Sequence, residues 1–104
     1  APVNIGNNVL IGPQVGIYPA YHPLDVATRI AGYEAARPVT ICDDVWIGGH
    51  VSILPGVTIG RGAVIGAGSV VTHSIPPGVV AAGNPCRIIK KPASAHNTGK
   101  PENE

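Results

Sequence analysis

Large apolar residues recur along the chain at a fixed interval of six positions. Nine positions, here called anchors, keep this spacing in two series separated by one interruption, and eight of them are isoleucine: Ile5, Ile11, Ile17, Ile41, Ile47, Ile53, Ile59, Ile65 and Val71. A second inward position follows four residues after each anchor: Val9, Val15, Tyr21, Val45, Val51, Val57, Ala63, Ser69 and Ile75. The pattern therefore directs two side chains inward in every six residues.

This period excludes the two common secondary-structure patterns. An amphipathic helix repeats apolar residues at intervals of three and four, and a half-buried strand alternates strictly. Turn-forming pairs lie between the inward positions at 7–8, 43–44, 55–56 and 61–62. We therefore predict an all-β fold, a parallel β-helix of hexapeptide repeats, in which three short strands form each coil of a triangular prism and like positions stack in columns.

The composition fits a narrow prism and excludes several other classes of protein. The 104 residues include 14 glycines and 11 prolines but no phenylalanine or methionine, so stacked β-branched side chains must take the place of an aromatic core. A disordered Gly/Pro-rich segment would not keep its isoleucines in phase. The net charge of +1 favours neither nucleic acid nor a membrane surface as partner. Cys42 and Cys86 match no disulfide framework or zinc motif, and the sequence contains no signal peptide, so we expect a cytoplasmic protein with free thiols.

The repeat is interrupted between Ile17 and Ile41. Counting in sixes would make anchors of Pro23, Arg29 and Ala35, none of which suits an apolar column. We therefore predict that residues 18–38, here called the excursion, leave the prism as a loop. The excursion contains all three tyrosines and much of the charge, which is typical of a functional loop.

His22 is the candidate for chemistry in the excursion. Pro23 keeps the histidine backbone extended, so the imidazole is presented on a stiff segment. Histidine accepts and returns protons near neutral pH, although a lone loop histidine can also have no function. Asp25 has two interpretations, since it could contact a substrate hydroxyl or cap a short helical turn after it.

Four segments resemble the maltose and galactoside O-acetyltransferases in wording, order and spacing: "YHPLD" at 21–25, "PVTICDDVWIGGHVSILPGVTIG" at 38–60, "VIGAGSVVT" at 64–72 and "VVAAGNPCRIIKK" at 79–91. The resemblance extends over residues 3–91. It implies left-handed coils, acetyl-CoA as co-substrate without a metal, and direct transfer of the acetyl group to a sugar hydroxyl. The loop is closer to the maltose branch, and an oligosaccharide or antibiotic hydroxyl stays open as the acceptor, as does the alternative of a non-catalytic, structural β-helix fragment.

The resemblance also implies roles for individual residues. His22 takes the place of the general base, and Tyr21 and Asp25 lie where the family binds its acceptor. The positions that match the coenzyme site of the family are Trp46, Gly49, Ala67, Thr72, Arg87 and Lys90. Family members form homotrimers with active sites between subunits, so we expect the same assembly here.

The chain is expected to form one domain over residues 1–91, with a disordered tail at 92–104. Val3 already occupies the second inward position of a hexapeptide that precedes the first anchor. We therefore expect the chain to be the C-terminal portion of a longer enzyme. Two other classes of protein share the prism. A γ-type carbonic anhydrase needs a close pair of zinc-binding histidines, and a structural or ice-binding solenoid needs a continuous threonine ladder; the sequence carries neither pattern.

Overall fold

The structure, a computed structural model, describes residues 1–92, so the predicted tail lies outside the described residues except for Pro92. Short strands dominate. They are Val3–Ile5 (β1), Leu10–Ile11 (β2), Gly16–Ile17 (β3), Ala20–Tyr21 (β4), Ala35–Ala36 (β5), Val39–Ile41 (β6), Trp46–Ile47 (β7), Ser52–Ile53 (β8), Thr58–Ile59 (β9), Val64–Ile65 (β10), Val70–Val71 (β11), Val80–Gly83 (β12) and Cys86–Lys90 (β13). A single helix, α1 at Val26–Ile30, lies in the excursion of this described part.

Parallel pairing stacks these strands on the three faces of a prism. Face 1 has the order β1, β6, β9, face 2 the order β2, β7, β10, β12, and face 3 the order β3, β8, β11. The anchors are in register from coil to coil, as in the column of Ile5, Ile41 and Ile59. The predicted parallel β-helix is thus confirmed.

The core consists of the two inward positions of each hexapeptide in the central coils. The buried anchors are Ile41, Ile47, Ile53, Ile59, Ile65 and Val71, each at most 1% exposed. The second positions from Val45 to Ser69 are at most 2% exposed. Stacked isoleucine and valine fill the prism without an aromatic residue, as the composition predicts.

Anchors of the first coil are less buried than the pattern predicts. Ile5 is 49% and Ile11 41% exposed. Their strands β1 and β2 lie at the edges of their sheets, so within the described residues these side chains have a neighbouring coil on one side only.

The assignment of Ile75 as a second inward position is wrong. Ile75 pairs in parallel with Ile59 and so belongs to an anchor column, although it follows Ile59 by 16 positions instead of 18. The Ser74 hydroxyl explains the shortened coil, because it accepts a hydrogen bond of 2.9 Å from the Thr58 backbone N–H. At this point a side-chain oxygen replaces the backbone carbonyl that would accept the inter-strand hydrogen bond in a regular coil.

The prism ends in a hairpin that the repeat does not predict. Strand β13 pairs antiparallel with β12, so face 2 has a fifth strand. The register shifts at Val80 and Ala81, since Lys90 pairs with Val80 but Ile88 with Ala81.

The excursion is a small structure of its own. Ala20 and Tyr21 pair antiparallel with Ala36 and Ala35, and α1 lies at the tip between the two strands. No residue of α1 is buried. Tyr21 is therefore not an inward residue of the prism but is 37% exposed on this ribbon.

Several corners of the prism carry side chains in the left-handed region of the backbone. Asn8, Gln14, Asp44 and His50 have φ between 57° and 61°. Such φ values are uncommon for residues other than glycine. Corners of adjacent coils stack, so Asn8 donates a side-chain hydrogen bond of 3.3 Å to Asp44.

Candidate functional site

His22 follows β4 directly and lies where the chain leaves the antiparallel ribbon. The backbone of Tyr21 is fixed by its pairing with Ala35, and Pro23 restricts the residue on the other side. The His22 side chain is exposed. An imidazole on a fixed backbone and open to solvent can meet a substrate without prior rearrangement of the core.

Polar contacts hold the tip of the excursion next to His22. Asp25 is the N-cap of α1, accepting hydrogen bonds from the Thr28 hydroxyl at 2.6 Å and the Thr28 backbone N–H at 2.9 Å. Both hydrogen bonds hold the pKa of Asp25 below its usual range, and the bond from the Thr28 hydroxyl has the larger effect. Arg29 donates to the carbonyls of Pro23 and Leu24 at 3.2 Å each. The capping interpretation of Asp25 is thus observed, and its contact with substrate stays a prediction.

Arg37 closes the neck of the excursion. Its backbone N–H donates to the Pro19 carbonyl at 2.8 Å. Its guanidinium lies over the Tyr21 ring, 5.5 Å from the centroid, at a distance typical of a cation–π contact. Gly56, with φ of 81°, lies beside the Arg37 side chain, and a Cβ at Gly56 would be 3.2 Å from Arg37 Cδ. The arginine thereby joins the ribbon to a corner of the prism.

A cavity of about 220 Å³ lies at this junction. It is lined by Tyr21 and Arg37 from the excursion and by Leu54, Pro55 and Thr72 from the prism. The structure thus brings a predicted acceptor contact, Tyr21, to the same cavity as a predicted coenzyme contact, Thr72.

The other predicted coenzyme residues lie along one side of the prism. Trp46 is on β7 of face 2 and is 56% exposed, as expected for an outward position. Arg87 and Lys90 are exposed residues of β13 in the same sheet. Gly49 and Ala67 lie at the corner between faces 2 and 3 on successive coils.

The coils approach closely at that corner. Gly68 N–H donates to the Gly49 carbonyl at 2.9 Å, and a Cβ at Gly48 would come within 2.7 Å of the Ala67 nitrogen. Thr72 follows β11 on face 3, where its hydroxyl is 2.8 Å from His73 Nδ1. The six predicted positions lie on face 2, at its corner with face 3 and, for Thr72, at the cavity beside the excursion, and this series is here called the coenzyme path.

Three residues of this cavity have no role in the sequence interpretation. The sequence identifies Arg37 only as part of the charge of the excursion, and Leu54 and Pro55 only as part of the resembling segment 38–60, in which 55–56 is a turn-forming pair. The repeat itself contains the missing signal. Leu54 and Pro55 follow one anchor as Tyr18 and Pro19 follow another, so the excursion leaves the prism at a corner stacked on Leu54 and Pro55.

Metal-ligand groups, thiols, a second cavity and helix length complete the description of residues 1–92. Residues 1–92 contain no group of three or more His, Cys, Asp or Glu side chains placed to hold a metal ion. Both Cys42 and Cys86 are free thiols. A larger cavity of about 550 Å³, lined by residues including Cys42, Thr58 and Arg61, contains none of the predicted site residues. None of the described helical residues forms a segment long and apolar enough to cross a membrane.

Comparison with known proteins identifies the family. The profile described as bacterial transferase hexapeptide (six repeats) matches residues 38–73. A maltose O-acetyltransferase from Clostridium difficile 630 is 59% identical with a TM-score of 0.86, over 88% of this chain and 49% of that one. A galactoside acetyltransferase in complex with coenzyme A is 48% identical with a TM-score of 0.85, over 97% of this chain and 50% of that one. The chain belongs to the hexapeptide-repeat acetyltransferases.

Further relatives agree with this membership. A hexapeptide-repeat acetyltransferase of Vibrio cholerae, complexed with acetyl-coenzyme A, is 46% identical with a TM-score of 0.87, over 90% of this chain and 51% of that one. A Saccharomyces cerevisiae relative is 63% identical over 91 residues, which are 88% of this chain and 46% of that protein. The chain spans about half the length of the curated relatives it matches. The fold of the family, the left-handed parallel β-helix, confirms the predicted fold class.

Proposed function

We propose that the chain carries the acetyl-CoA-dependent transfer of an acetyl group to the hydroxyl of a sugar, with His22 as general base. The observation that carries the proposal is the cavity beside the excursion. Tyr21, the neighbour of His22, and Thr72, at the end of the predicted coenzyme path, line it together. A hydroxyl acceptor and a thioester brought to this cavity would meet next to the histidine.

His22 would accept the proton of the acceptor hydroxyl as its oxygen attacks the thioester carbonyl carbon. The new C–O bond forms, the C–S bond breaks, and the proton is then returned to the departing thiolate to give free coenzyme A. No protein nucleophile is needed, which agrees with the position of the two thiols. Cys86 is buried, and its burial raises the pKa of the thiol, which disfavours the reactive thiolate.

The coenzyme would lie along the path described above. Its amide-rich pantetheine arm suits the corner at Gly49 and Ala67, where exposed backbone on parallel coils can pair with an extended chain. Arg87 and Lys90 offer the guanidinium and ammonium groups that phosphate recognition requires. Trp46 provides an exposed aromatic surface on face 2, next to the corner proposed for the pantetheine arm.

A sugar of the maltose or glucose type is the proposed acceptor. The support comes from the 59% identity to a maltose O-acetyltransferase and 48% identity to a galactoside acetyltransferase. An oligosaccharide or antibiotic hydroxyl remains the alternative. Release of free thiol from acetyl-CoA, measured against maltose, glucose, a galactoside and an aminoglycoside, distinguishes these acceptors. The assay uses this chain and a version extended at its N-terminus.

His22→Ala tests the proposed base. We expect kcat to fall by roughly 10²–10⁴-fold, the usual contribution of a general base, with unchanged circular dichroism. His50→Asn is the matched control, because asparagine tolerates the positive φ of 57° at position 50 and His50 is not assigned to the site. A His22→Ala enzyme with nearly normal kcat would refute the role of this histidine.

The proposed assembly is a homotrimer with active sites between subunits, in which the coenzyme path of a neighbouring subunit meets the cavity beside the excursion and supplies Arg87 to that site. The exposed apolar side chains of the excursion, including Leu24 at 93% and Ile30 at 79%, support a contact between subunits. Mixing His22→Ala, which lacks the base, with Arg87→Ala, which is weakened in binding acetyl-CoA, tests it when turnover is measured at low acetyl-CoA. Shared sites would restore part of the activity after subunit exchange, and separate sites would restore none.

A further inference from the structure

Ser69 is a polar residue in an otherwise apolar column. It stands at a second inward position, is 0% exposed, and lies 18 residues after Val51, which itself lies 36 residues after Val15 in the same column. Burying a hydroxyl costs free energy unless it is hydrogen-bonded. A buried serine in a column of valines therefore requires a physical explanation.

The Ser69 hydroxyl is fully satisfied by local backbone groups. It donates to the Gly66 carbonyl at 2.6 Å and accepts from the Gly83 N–H at 3.0 Å. It also contacts the thiol of Cys86, where it partly offsets the burial that raises the pKa of that thiol. Gly66 belongs to the corner before Ser69, whereas Gly83 and Cys86 flank the turn of the terminal hairpin. The hydroxyl therefore connects the last regular coil to the hairpin turn.

The hairpin depends on this connection more than a coil would. Its strand β13 pairs on one side only within the described residues, and its ladder is irregular where Lys90 pairs with Val80 and Ile88 with Ala81. Ile88 and Ile89 are 43% and 66% exposed, so packing fixes the strand weakly. The turn end, next to Ser69, is the regular end of the hairpin.

The same hairpin presents the two basic residues assigned to the nucleotide. Arg87 follows the buried Cys86 directly and pairs with Ala82, and Lys90 lies three residues further along β13. Recognition of phosphate groups depends on the positions of the cationic side chains as well as on their charge. A small rotation of the hairpin about its turn would displace both cations relative to the coils that hold the pantetheine arm.

We propose that Ser69 is a positioning residue for coenzyme recognition: its hydroxyl fixes the β12–β13 hairpin so that Arg87 and Lys90 meet the nucleotide half of acetyl-CoA. The inference rests on the proposed function, because it assumes that these two residues bind the nucleotide. It adds a determinant that touches neither substrate.

The experiment compares two donors in the full chain, acetyl-CoA and S-acetylpantetheine, which has the thioester arm but no nucleotide. Ser69→Val and Ser69→Thr form a matched pair of nearly equal shape that differs in the hydroxyl. In Ser69→Val we expect the preference for acetyl-CoA, as the ratio of the two kcat/KM values, to fall by roughly tenfold, since the partly buried hydrogen bond from the Gly83 N–H to the Ser69 hydroxyl is lost. In Ser69→Thr the ratio should stay near that of the wild type.

A purely structural role predicts a different result. Both donors would then lose kcat/KM by the same factor in Ser69→Val, and an unchanged ratio would overturn the proposal. If Ser69→Val does not fold by circular dichroism, Ser69→Ala provides the same comparison, because alanine is accepted at the equivalent inward position 63.

Arg87→Ala separates this inference from the proposed function. A lower donor ratio in Arg87→Ala with a normal ratio in Ser69→Val would reject the role of Ser69 and keep the nucleotide site. A normal ratio in Arg87→Ala would reject the nucleotide site itself, and the proposal with it. The expected result is a lower donor ratio in both Ser69→Val and Arg87→Ala, and a ratio near that of the wild type in Ser69→Thr.

Discussion

The prism and the excursion are stabilised by different physical means. In the central coils every inward side chain is buried, and isoleucines such as Ile47 and Ile59 are 0% exposed. The helix of the excursion buries no residue at all, and the segment is held by a short ribbon, the cap at Asp25 and the contacts of Arg29 and Arg37. The hydrophobic effect stabilises the prism but is non-directional. The polar contacts of the excursion are directional, so they fix its orientation while adding little to the free energy of folding.

The comparison teaches where each property of the molecule can be altered. Because the excursion adds little to the core, its sequence is free to serve binding and catalysis. The prism supplies the rigid support from which a catalytic side chain can be held at a fixed position. Substitutions in the two regions should therefore affect different measurements.

The largest expected effect comes from removing the excursion. Ile17 and Ile41 are 24 positions apart, and Ile53 and Ile59 are six apart, so the repeat resumes in phase. Replacing residues 20–38 by a single glycine would give Ile-Tyr-Pro-Gly-Val-Thr-Ile, which copies the corner Ile-Leu-Pro-Gly-Val-Thr-Ile at 53–59. We expect the β-sheet circular dichroism to persist and acetyl transfer to be lost completely.

That variant also tests the separation of the two regions. Loss of the β-sheet signal would mean that the excursion is required for folding of the prism. Retained transfer would mean that the catalytic group lies elsewhere.

A smaller effect, on stability, is expected from truncating the core. Ile59→Ala removes a fully buried side chain from an anchor column, and we expect a loss of about 2–5 kcal/mol in the free energy of unfolding, measured with urea. Glu34→Ala is the comparison substitution in the excursion, where the side chain is exposed and is not part of the proposed apolar contact between subunits, and should change that free energy by no more than ~0.5 kcal/mol. Similar losses in the two variants would contradict the comparison.

The smallest effect is local and depends on pH. Hydrogen bonds from Thr28 lower the pKa of Asp25 from its ordinary value of 3.8. The ionised cap therefore stabilises α1 above that value, and this stabilisation is lost as the pH falls below 3.8 through the lowered pKa. The NMR chemical shifts of residues 26–30 should report unfolding of α1 in this range while the prism stays folded.

Asp25→Asn is the control for the cap. Asparagine keeps an oxygen acceptor for the Thr28 N–H but cannot titrate, so the acid transition of α1 should disappear. If the same transition persists in Asp25→Asn, another group is responsible.

The sequence predicts the prism well because its cause is local and repeated. Isoleucine at every sixth position can be buried only if the chain turns three times per coil, so the phase of the pattern fixes the stacking. The prediction fails at Ile75, where the Ser74 hydroxyl replaces a carbonyl in the ladder. A period cannot reveal that exchange, because it depends on one side chain bonding across coils.

The candidate site is less predictable from the sequence. The pattern identifies the excursion and His22, since both depart from the repeat. It does not identify Arg37 as the residue over Tyr21, because that contact depends on how the ribbon returns to the prism. The roles of Arg87 and Lys90 come from resemblance alone, and the hairpin that carries them has no periodic signal.

The stacked corners repeat at a fixed distance along the axis of the prism. Asn8 and Asp44 occupy the same left-handed corner on adjacent coils, and adjacent strands are about 4.8 Å apart. Labels attached at such corners would be displayed in single file along the axis, each one strand spacing from the next. The pitch of the backbone, and not any linker, would set the distance between them.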